Sequence, residues 1–125
     1  MFNIKDIMTT DVTCVTKKTP IDQVLQILVE KNITGIPVVN EDMTLAGIVT
    51  EKDVLELLYD DSEDPGNAED FMSTEIVSFD QNDDLIAVCE CLVRNHFRRF
   101  PIVSDVKLVG IVSRRDIIKY ILEPI

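Results

Sequence analysis

Two aspartates stand at the same place in two similar stretches of the chain, and both are candidates for binding chemistry. The stretches are Gly47–Asp53 and Gly110–Asp116, and each reads glycine, two β-branched residues, a hydroxyl residue, two charged residues and aspartate. A β-branched pair favours a strand. A Ser or Thr three residues before an acid, followed by a periodic apolar run, is typical of a helix start. Each stretch therefore predicts a strand that runs directly into a helix N-terminus.

A helix N-terminus of this kind has two uses, and the sequence leaves both open. Its free N–H groups and the positive end of the helix dipole suit an anion such as a phosphate. Alternatively the aspartate only completes a capping box, in which its carboxylate accepts the backbone N–H of the Ser or Thr. The signature is common, so one copy alone favours the capping interpretation. Two copies in matched surroundings give more weight to the ligand-binding interpretation.

Composition limits the classes of protein to which the chain can belong. Its 125 residues are 46% hydrophobic, but its longest apolar runs are about five residues, far too short for a membrane helix. A net charge of −11 argues against a nucleic-acid partner, which would need a basic face. The first residues lack the basic and apolar regions of a signal peptide, so we expect a cytoplasmic protein. No second Cys pair or nearby His completes a metal site around Cys14, Cys89 and Cys91, so we expect free thiols and no metal.

Hydrophobic periodicity predicts the elements that position the two stretches. A short strand near residues 12–15 precedes a helix that starts at Thr19 and Pro20. The apolar face of this helix carries residues at helical spacing: Ile21, Val24, Leu25 and Leu28. A hairpin of strands 36–39 and 45–49 follows. Thr50 then begins a second helix, whose apolar face carries Val54, Leu57 and Leu58.

The same order of elements occurs a second time. Met72 corresponds to Met8, and at the same offset the apolar helix face recurs as Leu85, Val88, Cys89 and Leu92. Asp116 corresponds to Asp53 at a slightly smaller offset, because the second hairpin turn is shorter. Each repeat is predicted to be β-α-β-β-α, over 1–59 and 70–125, with a solvated acidic linker at 60–69. One such repeat buries too little surface to be secure alone, so we expect the two to pack sheet to sheet with pseudo-two-fold symmetry.

On these residues the chain resembles a tandem pair of cystathionine-β-synthase (CBS) domains, often called a Bateman module. The resemblance is carried by residues 6–8 and 70–72, by strands 36–39 and 100–103, and by the two stretches that end in aspartate. It implies an α/β (α+β) fold and an adenosine-containing ligand, AMP, ADP or ATP, bound in clefts between the repeats. It also implies regulation of a partner protein, with no cofactor and no catalysis by the module itself.

The resemblance further implies which residues bind the ligand, with each cleft built from both repeats. In similar modules the aspartate that ends each stretch binds the ribose diol, and nearby hydroxyl and basic residues face the phosphate. The first cleft is predicted to contain Thr13, Ile33, Thr34, Gly35, Ile36, Ser113, Arg115 and Asp116. The second, bulkier and more cationic cleft is predicted to contain Val77, Arg98, Arg99, Phe100, Thr50, Lys52 and Asp53.

Other interpretations stay open beside this one. S-adenosylmethionine is a variant of the same ligand hypothesis. A ligand-free interaction module, in which both stretches are only helix caps, is the alternative from a different class. An enzyme ranks third, because no catalytic Ser/His/Asp set, glycine-rich phosphate loop or metal cluster is present. The apolar residues Ile117, Ile118, Ile121 and Leu122 predict an exposed helix face and a two-fold homodimer with helices at its interface.

Overall fold

The computed structural model describes residues 3–59, 63–94 and 99–123. The helices and strands in chain order are α1 (Ile4–Ile7), β1 (Val15–Thr16), α2 (Ile21–Glu30), β2 (Gly35–Val39), β3 (Leu45–Thr50), α3 (Glu51–Val54), α4 (Ala68–Phe71), β4 (Phe79–Asp80), α5 (Leu85–Arg94), β5 (Arg99–Ser104), β6 (Lys107–Ser113) and α6 (Arg114–Leu122). A 3₁₀ helix, Leu55–Tyr59, directly follows α3. No helix in the described part of the chain is long and apolar enough to cross a membrane.

These elements form two compact units whose composition differs from that of the sequence repeats. The first unit is Thr13–Ile76, and the second unit combines Met1–Val12 with Val77–Ile125. The opening segment of each repeat, which carries α1 in one case and α4 in the other, thus belongs to the unit built on the other repeat. The sequence repeat predicts the strands and the long helices, but neither the short helices α1 and α4 nor this exchange of opening segments.

The first unit is a three-stranded sheet with α2 packed on it. Strand β1 runs parallel to β2, and β2 runs antiparallel to β3. All five residues of β2 are buried, which explains why that strand is a continuous apolar run rather than an alternating one. The predicted face of α2 lies in the same core, where Ile21, Val24 and Leu28 are buried and Leu25 packs against them.

The second unit repeats this arrangement with β4, β5, β6 and α5. Strand β4 pairs in parallel with β5, and β5 pairs antiparallel with β6. Its core contains Leu85, Val88 and Leu92 of α5, with Cys89 partly buried beside them. Ile4 of α1 is fully buried in this core. The opening segment is therefore a structural part of the second unit.

Two glycines are explained by the exchanged segments. An added methyl group at Gly110 would lie 2.6 Å from Met8 Sδ, and one at Gly47 would lie 2.6 Å from Met72 Sδ. Real side-chain carbons do not approach that closely, so each methionine packs where only glycine leaves room. The coupling of Met8 with Gly110, and of Met72 with Gly47, accounts for the presence of both residue types in both repeats.

The helix predicted after Thr50 is shorter than expected. Its α-helical part ends at Val54 and continues as the 3₁₀ helix, in which Leu58 is 85% exposed. The prediction that Leu58 lies on a buried face is therefore wrong. Most helical stability in proteins comes from packing an apolar face. Because Leu55 and Leu58 do not pack against this unit, the segment forms a short tighter helix instead.

The predicted acidic linker is structured in its second half. Residues 60–62 lie outside the described residues. Further along, the Ile21 N–H donates to the Gly66 carbonyl at 3.0 Å, and the Ala68 N–H donates to the Thr19 carbonyl at 2.8 Å. Ala68 is fully buried, so solvation does not extend through residue 69. An Asn67–Asp70 capping box begins α4, and this signature in the sequence could have predicted the helix.

Candidate functional site

Asp116 lies at the third residue of α6, and both of its carboxylate oxygens accept hydrogen bonds. Oδ2 accepts from the Ser113 backbone N–H at 2.9 Å and from the Ser113 hydroxyl at 3.0 Å. The Asp116 N–H donates in return to Ser113 Oγ at 3.2 Å, which completes the predicted capping box. Oδ1 accepts from the Thr9 hydroxyl at 3.1 Å. The capping interpretation is thus correct as far as Oδ2 is concerned.

Asp53 occupies the matching place in the first unit with one bond fewer. Its Oδ2 accepts from the Thr50 N–H at 2.8 Å and from the Thr50 hydroxyl at 2.9 Å. In the described part of the chain, no group donates to its Oδ1. An ionised carboxylate offers about four acceptor positions, two on each oxygen. Once these hydrogen bonds are counted, about two acceptor positions stay free on the Asp53 carboxylate and about one on that of Asp116.

Thr9 is a site residue that the sequence analysis missed. It joins the edge of β6 through a pair of 2.9 Å backbone hydrogen bonds with Ile111. Ser73, its counterpart in the second repeat, forms the same bridge with Ile48. The repeated Met–hydroxyl pairs, Met8-Thr9 and Met72-Ser73, are the signal that could have found this position.

In the first unit, strand pairing brings several of the predicted site residues close together. Gly35 is the register partner of Thr50, and the Glu51 N–H donates to the Thr34 carbonyl at 3.0 Å. Gly35 therefore lies at the strand end from which Asp53 starts its helix. A methyl group at Gly35 would meet its neighbours only at ordinary contact distances of 3.5 Å or more. Packing within the unit does not explain why residue 35 is glycine.

In the second unit, strand pairing also brings predicted site residues close together. Arg99 is the register partner of Ser113, so a basic residue stands beside the start of α6. The Arg99 Nε is buried and has no hydrogen-bond partner in the described structure. A buried N–H without an acceptor is costly, and an anion is one group that can satisfy it. Arg115 and Val77 are exposed, and Arg98 lies outside the described residues.

The side chains of two predicted site residues belong to the cores of their own units. Ile36 is fully buried, and Phe100 is 1% exposed. The Phe100 ring packs edge-on against Phe79 with centroids 5.3 Å apart. These apolar side chains stabilise the sheets because they leave water entirely. A ligand contact at either position would therefore use the backbone.

The predicted members of each cleft fall in different units. Thr13 and residues 33–36 belong to the first unit, whereas Ser113, Arg115 and Asp116 belong to the second. Likewise Thr50, Lys52 and Asp53 belong to the first unit, and the other predicted members of the second cleft that the structure describes belong to the second. How the two sets assemble remains a prediction.

Cys14 and Cys89 have the character of structural thiols. Burial raises the pKa of the Cys14 thiol. Burial, with a smaller contribution from the nearby Asp84 carboxylate, raises the pKa of Cys89. A raised pKa keeps a thiol neutral and unreactive near pH 7. Among the described residues, no three His, Cys, Asp or Glu side chains cluster in a way that would hold a metal ion.

Two similar α+β units, each with a hydroxyl residue and an aspartate at the strand-to-helix junction, define a protein of the CBS-pair class. The CBS domain model matches residues 4–60 and again residues 68–123. The chain belongs to the CBS domain family.

Relatives and solved structures agree with this assignment. The CBS domain-containing protein YhcV of Bacillus subtilis is 32% identical over 118 residues, which cover 94% of this chain and 84% of that protein. An uncharacterised protein of Methanocaldococcus jannaschii, MJ1225, is 32% identical over 116 residues, but this chain spans only 41% of its length. The structure of the Arabidopsis thaliana protein CBSX2 in complex with AMP aligns with a TM-score of 0.85 and 29% identity, covering 98% of this chain and 97% of that one.

Proposed function

We propose that the chain is a regulatory module that binds an adenine nucleotide through Asp53, Asp116 and the residues predicted with them. The observation that carries the proposal is the alignment with CBSX2, a protein seen in complex with AMP, over nearly the whole of both chains. The wider class, a ligand-binding CBS pair, follows from the family. The nucleotide itself and its place on this chain are the proposal.

The described geometry supports a role in binding a ribose and a phosphate. The cap leaves acceptor positions free on Oδ1 of each aspartate, and a ribose presents two neighbouring hydroxyl donors that such positions can accept. Ser113 and the start of α6 offer donors to a phosphate. Arg99, which is assigned to the second cleft, has an unpartnered Nε and supplies a positive charge for a phosphate there.

The same geometry supports binding rather than catalysis. Both aspartates accept hydrogen bonds from their own helix caps, which hold the carboxylates in place as acceptors for the hydroxyl groups of a ligand. The module would then act by changing the stability or contacts of a partner when the nucleotide binds. We infer no reaction for the chain.

Titration calorimetry with AMP, ADP, ATP and S-adenosylmethionine tests the proposal. We expect Asp116→Ala to weaken nucleotide binding by roughly 1.5–3 kcal/mol, the range for a lost hydrogen bond to a charged group. That corresponds to about tenfold to over a hundredfold in affinity. Asp53→Ala should have a similar effect if its unit also contributes to an occupied site. Comparing the two variants therefore counts the sites.

Asp70→Ala is the matched control for both variants. Asp70 Oδ2 accepts from the Asn67 N–H at 2.8 Å in a capping box outside the candidate site. Its loss should cost stability of about 1 kcal/mol and leave affinity unchanged. If the variants of Asp53 and Asp116 lower only the melting temperature, as the control should, the ligand-free interaction module replaces our proposal.

A further inference from the structure

Each opening segment is attached to the edge strand of a sheet by one isolated β-bridge. Strands β3 and β6 are edge strands of their three-stranded sheets. Ser73 pairs with Ile48 of β3 through backbone hydrogen bonds of 2.8 and 3.0 Å, and Thr9 pairs with Ile111 of β6 through two of 2.9 Å. An edge strand left bare presents unpaired N–H and C=O groups. Each bridge therefore protects one edge, and the side chains beside it help to keep it closed.

A partly buried methionine precedes each bridge and packs on a buried glycine. Met8 and Met72 lie against the cores of their units, and the sulfur of each occupies the space that a methyl group at Gly110 or Gly47 would need. The carbonyl oxygen of the bridge residue is also close, 3.1 Å from the methyl position at Gly110 and 2.9 Å from that at Gly47. Each thioether thus lies in a tight space beside a hydrogen-bond acceptor.

We propose that Met8 and Met72 are sites of reversible oxidation that control whether the opening segments stay attached. Hydrogen peroxide supplies the oxygen atom. A lone pair of Sδ attacks one peroxide oxygen, the O–O bond breaks, and the released hydroxide takes the proton of the transferred oxygen and leaves as water. The sulfur is oxidised by two electrons to the sulfoxide while the peroxide is reduced, and methionine sulfoxide reductases reverse the change.

The sulfoxide does not fit the space that the thioether fills. Its added oxygen enlarges a side chain that already lies where a single methyl group would overlap it, and overpacking of this kind destabilises a structure. The new oxygen is a hydrogen-bond acceptor, whereas the bridge carbonyl beside it is an acceptor too and the bridge N–H groups are already bonded. A buried polar group without a partner is costly, so oxidation favours detachment of the segment.

Met43 is a comparison site without these consequences. It lies in the turn between β2 and β3 with its side chain 41% exposed, and it is in neither core formed by the described residues. A sulfoxide at this position stays in water. Its oxidation should therefore be faster than that of the two packed methionines and should leave the fold unchanged.

The exchange of opening segments makes the effect of each site specific. Oxidation of Met8, which belongs to the first repeat, should open the bridge to Ile111 in the second unit. Oxidation of Met72 should open the bridge to Ile48 in the first unit. At the first of these sites Asp116 also loses the hydroxyl donor that the opening segment supplies to its Oδ1.

Hydrogen exchange of the full chain after treatment with hydrogen peroxide tests the proposal, and mass spectrometry of its peptides locates the sulfoxides. The variant Met43→Leu/Met72→Leu leaves Met8 as the packed methionine that can be oxidised. We expect the protection of the Thr9 and Ile111 amides to fall by at least about tenfold. The amides of the other bridge should keep their protection.

The variant Met8→Leu/Met43→Leu should give the opposite result. Oxidation of Met72 is then expected to remove protection from the Ser73 and Ile48 amides and to leave the bridge of the second unit closed. Treatment with a methionine sulfoxide reductase should restore protection in both variants.

The triple variant Met8→Leu/Met43→Leu/Met72→Leu is the control for oxidation elsewhere, since it keeps Met1 and the three cysteines. Leucine conserves the volume of methionine and lacks the sulfur, so peroxide should leave all four bridge amides protected. Wild type gives the same information without substitution, because a time course of treatment relates the sulfoxide at each methionine to the protection of its own bridge.

Three results would overturn the proposal. Equal loss of protection in the triple variant would mean that oxidation acts through the cysteines or Met1. Sulfoxides at Met8 and Met72 that leave both bridges protected would show that the segments tolerate the change. Complete oxidation of Met43 while Met8 and Met72 stay reduced in the folded chain would show that the two packed sulfurs are not sites of oxidation.

Discussion

At the scale of single residues, the two aspartates occupy matching positions but differ in the number of acceptor positions that they leave for a ligand. Both use Oδ2 to begin a helix, as their sequence signature predicts. Only Asp116 also has Oδ1 bound, by Thr9, a residue more than a hundred positions away in the chain. Periodicity and capping rules describe local structure, so they predict the Oδ2 bonds and are silent on a long-range contact such as this one.

Removing the Thr9 hydroxyl should therefore improve binding at Asp116. Thr9→Val keeps the size of the side chain and frees a second acceptor position on Oδ1 for the ribose diol. We expect AMP to bind about two- to tenfold more tightly, the equivalent of one ordinary hydrogen bond. The preference for AMP over its 2′-deoxy analogue should increase as well, and calorimetry with both compounds measures the two effects.

Ser73→Ala is the control for this prediction. Ser73 occupies the corresponding bridge, and no hydrogen bond from its side chain to Asp53 is found among the described residues. Its removal should leave affinity unchanged. Weaker binding by Thr9→Val would instead mean that Thr9 holds Asp116 in the orientation that the ligand needs.

At the scale of elements, the sequence predicts the strands and the long helices well and the short helices less well. Helix α2 and its repeat α5 show full apolar periodicity over ten residues each, and this periodicity predicts both. The four-residue helix α4 has no room for a period, and only its capping box marks it. The 3₁₀ segment after α3 departs from the prediction because Leu55 and Leu58 are exposed, although Leu57 packs against the core of the unit. The sequence pattern does not distinguish these leucines.

We expect two different reasons for the glycines in the strands, close packing at Gly47 and ligand binding at Gly35. Gly47→Ala should destabilise the first unit by about 1–3 kcal/mol, because its methyl group would overlap the Met72 side chain. Gly35→Ala meets no such obstacle and should change the free energy of unfolding by no more than about 1 kcal/mol. We expect it to weaken nucleotide binding all the same, since the resemblance places a base against this strand entry. Thermal unfolding and calorimetry on both variants check the two expectations, and unchanged affinity in Gly35→Ala would remove residue 35 from the site.

At the scale of the whole molecule, the repeat predicts the family and the order of its strands and long helices, but not which segment completes which unit. The residues of a repeat are adjacent in sequence, so the natural assumption is that each repeat folds on itself. Ile4 is buried in the core that contains α5, and Ala68 is buried in the core that contains α2, which shows the opposite. The predicted clefts also depend on how segments that are distant in the sequence come together. The sequence therefore predicts which residues belong to each cleft, and the assembly of each cleft stays a proposal.

The exchange gives a prediction about stability. Ile4→Ala should destabilise the protein by about 2–5 kcal/mol, the cost of emptying a buried isoleucine site. Hydrogen exchange should locate the loss in β5, β6 and α5 of the second unit, although residue 4 opens the first repeat. Val29→Ala, an exposed site in the first repeat, should change stability little. Loss of protection confined to the first unit would contradict the assignment.

The exchange of opening segments also constrains how such a chain can grow. Each repeat gives its opening segment to the other, so with two repeats every segment has a place and none is left over. A third repeat added to such a chain would have to keep its own opening segment, unless all three repeats passed their segments on in a cycle. Growth by duplication is therefore simplest in even numbers. A single repeat expressed alone would have an empty space beside its strand glycine. The methionine of its own chain or that of another molecule would have to fill this space.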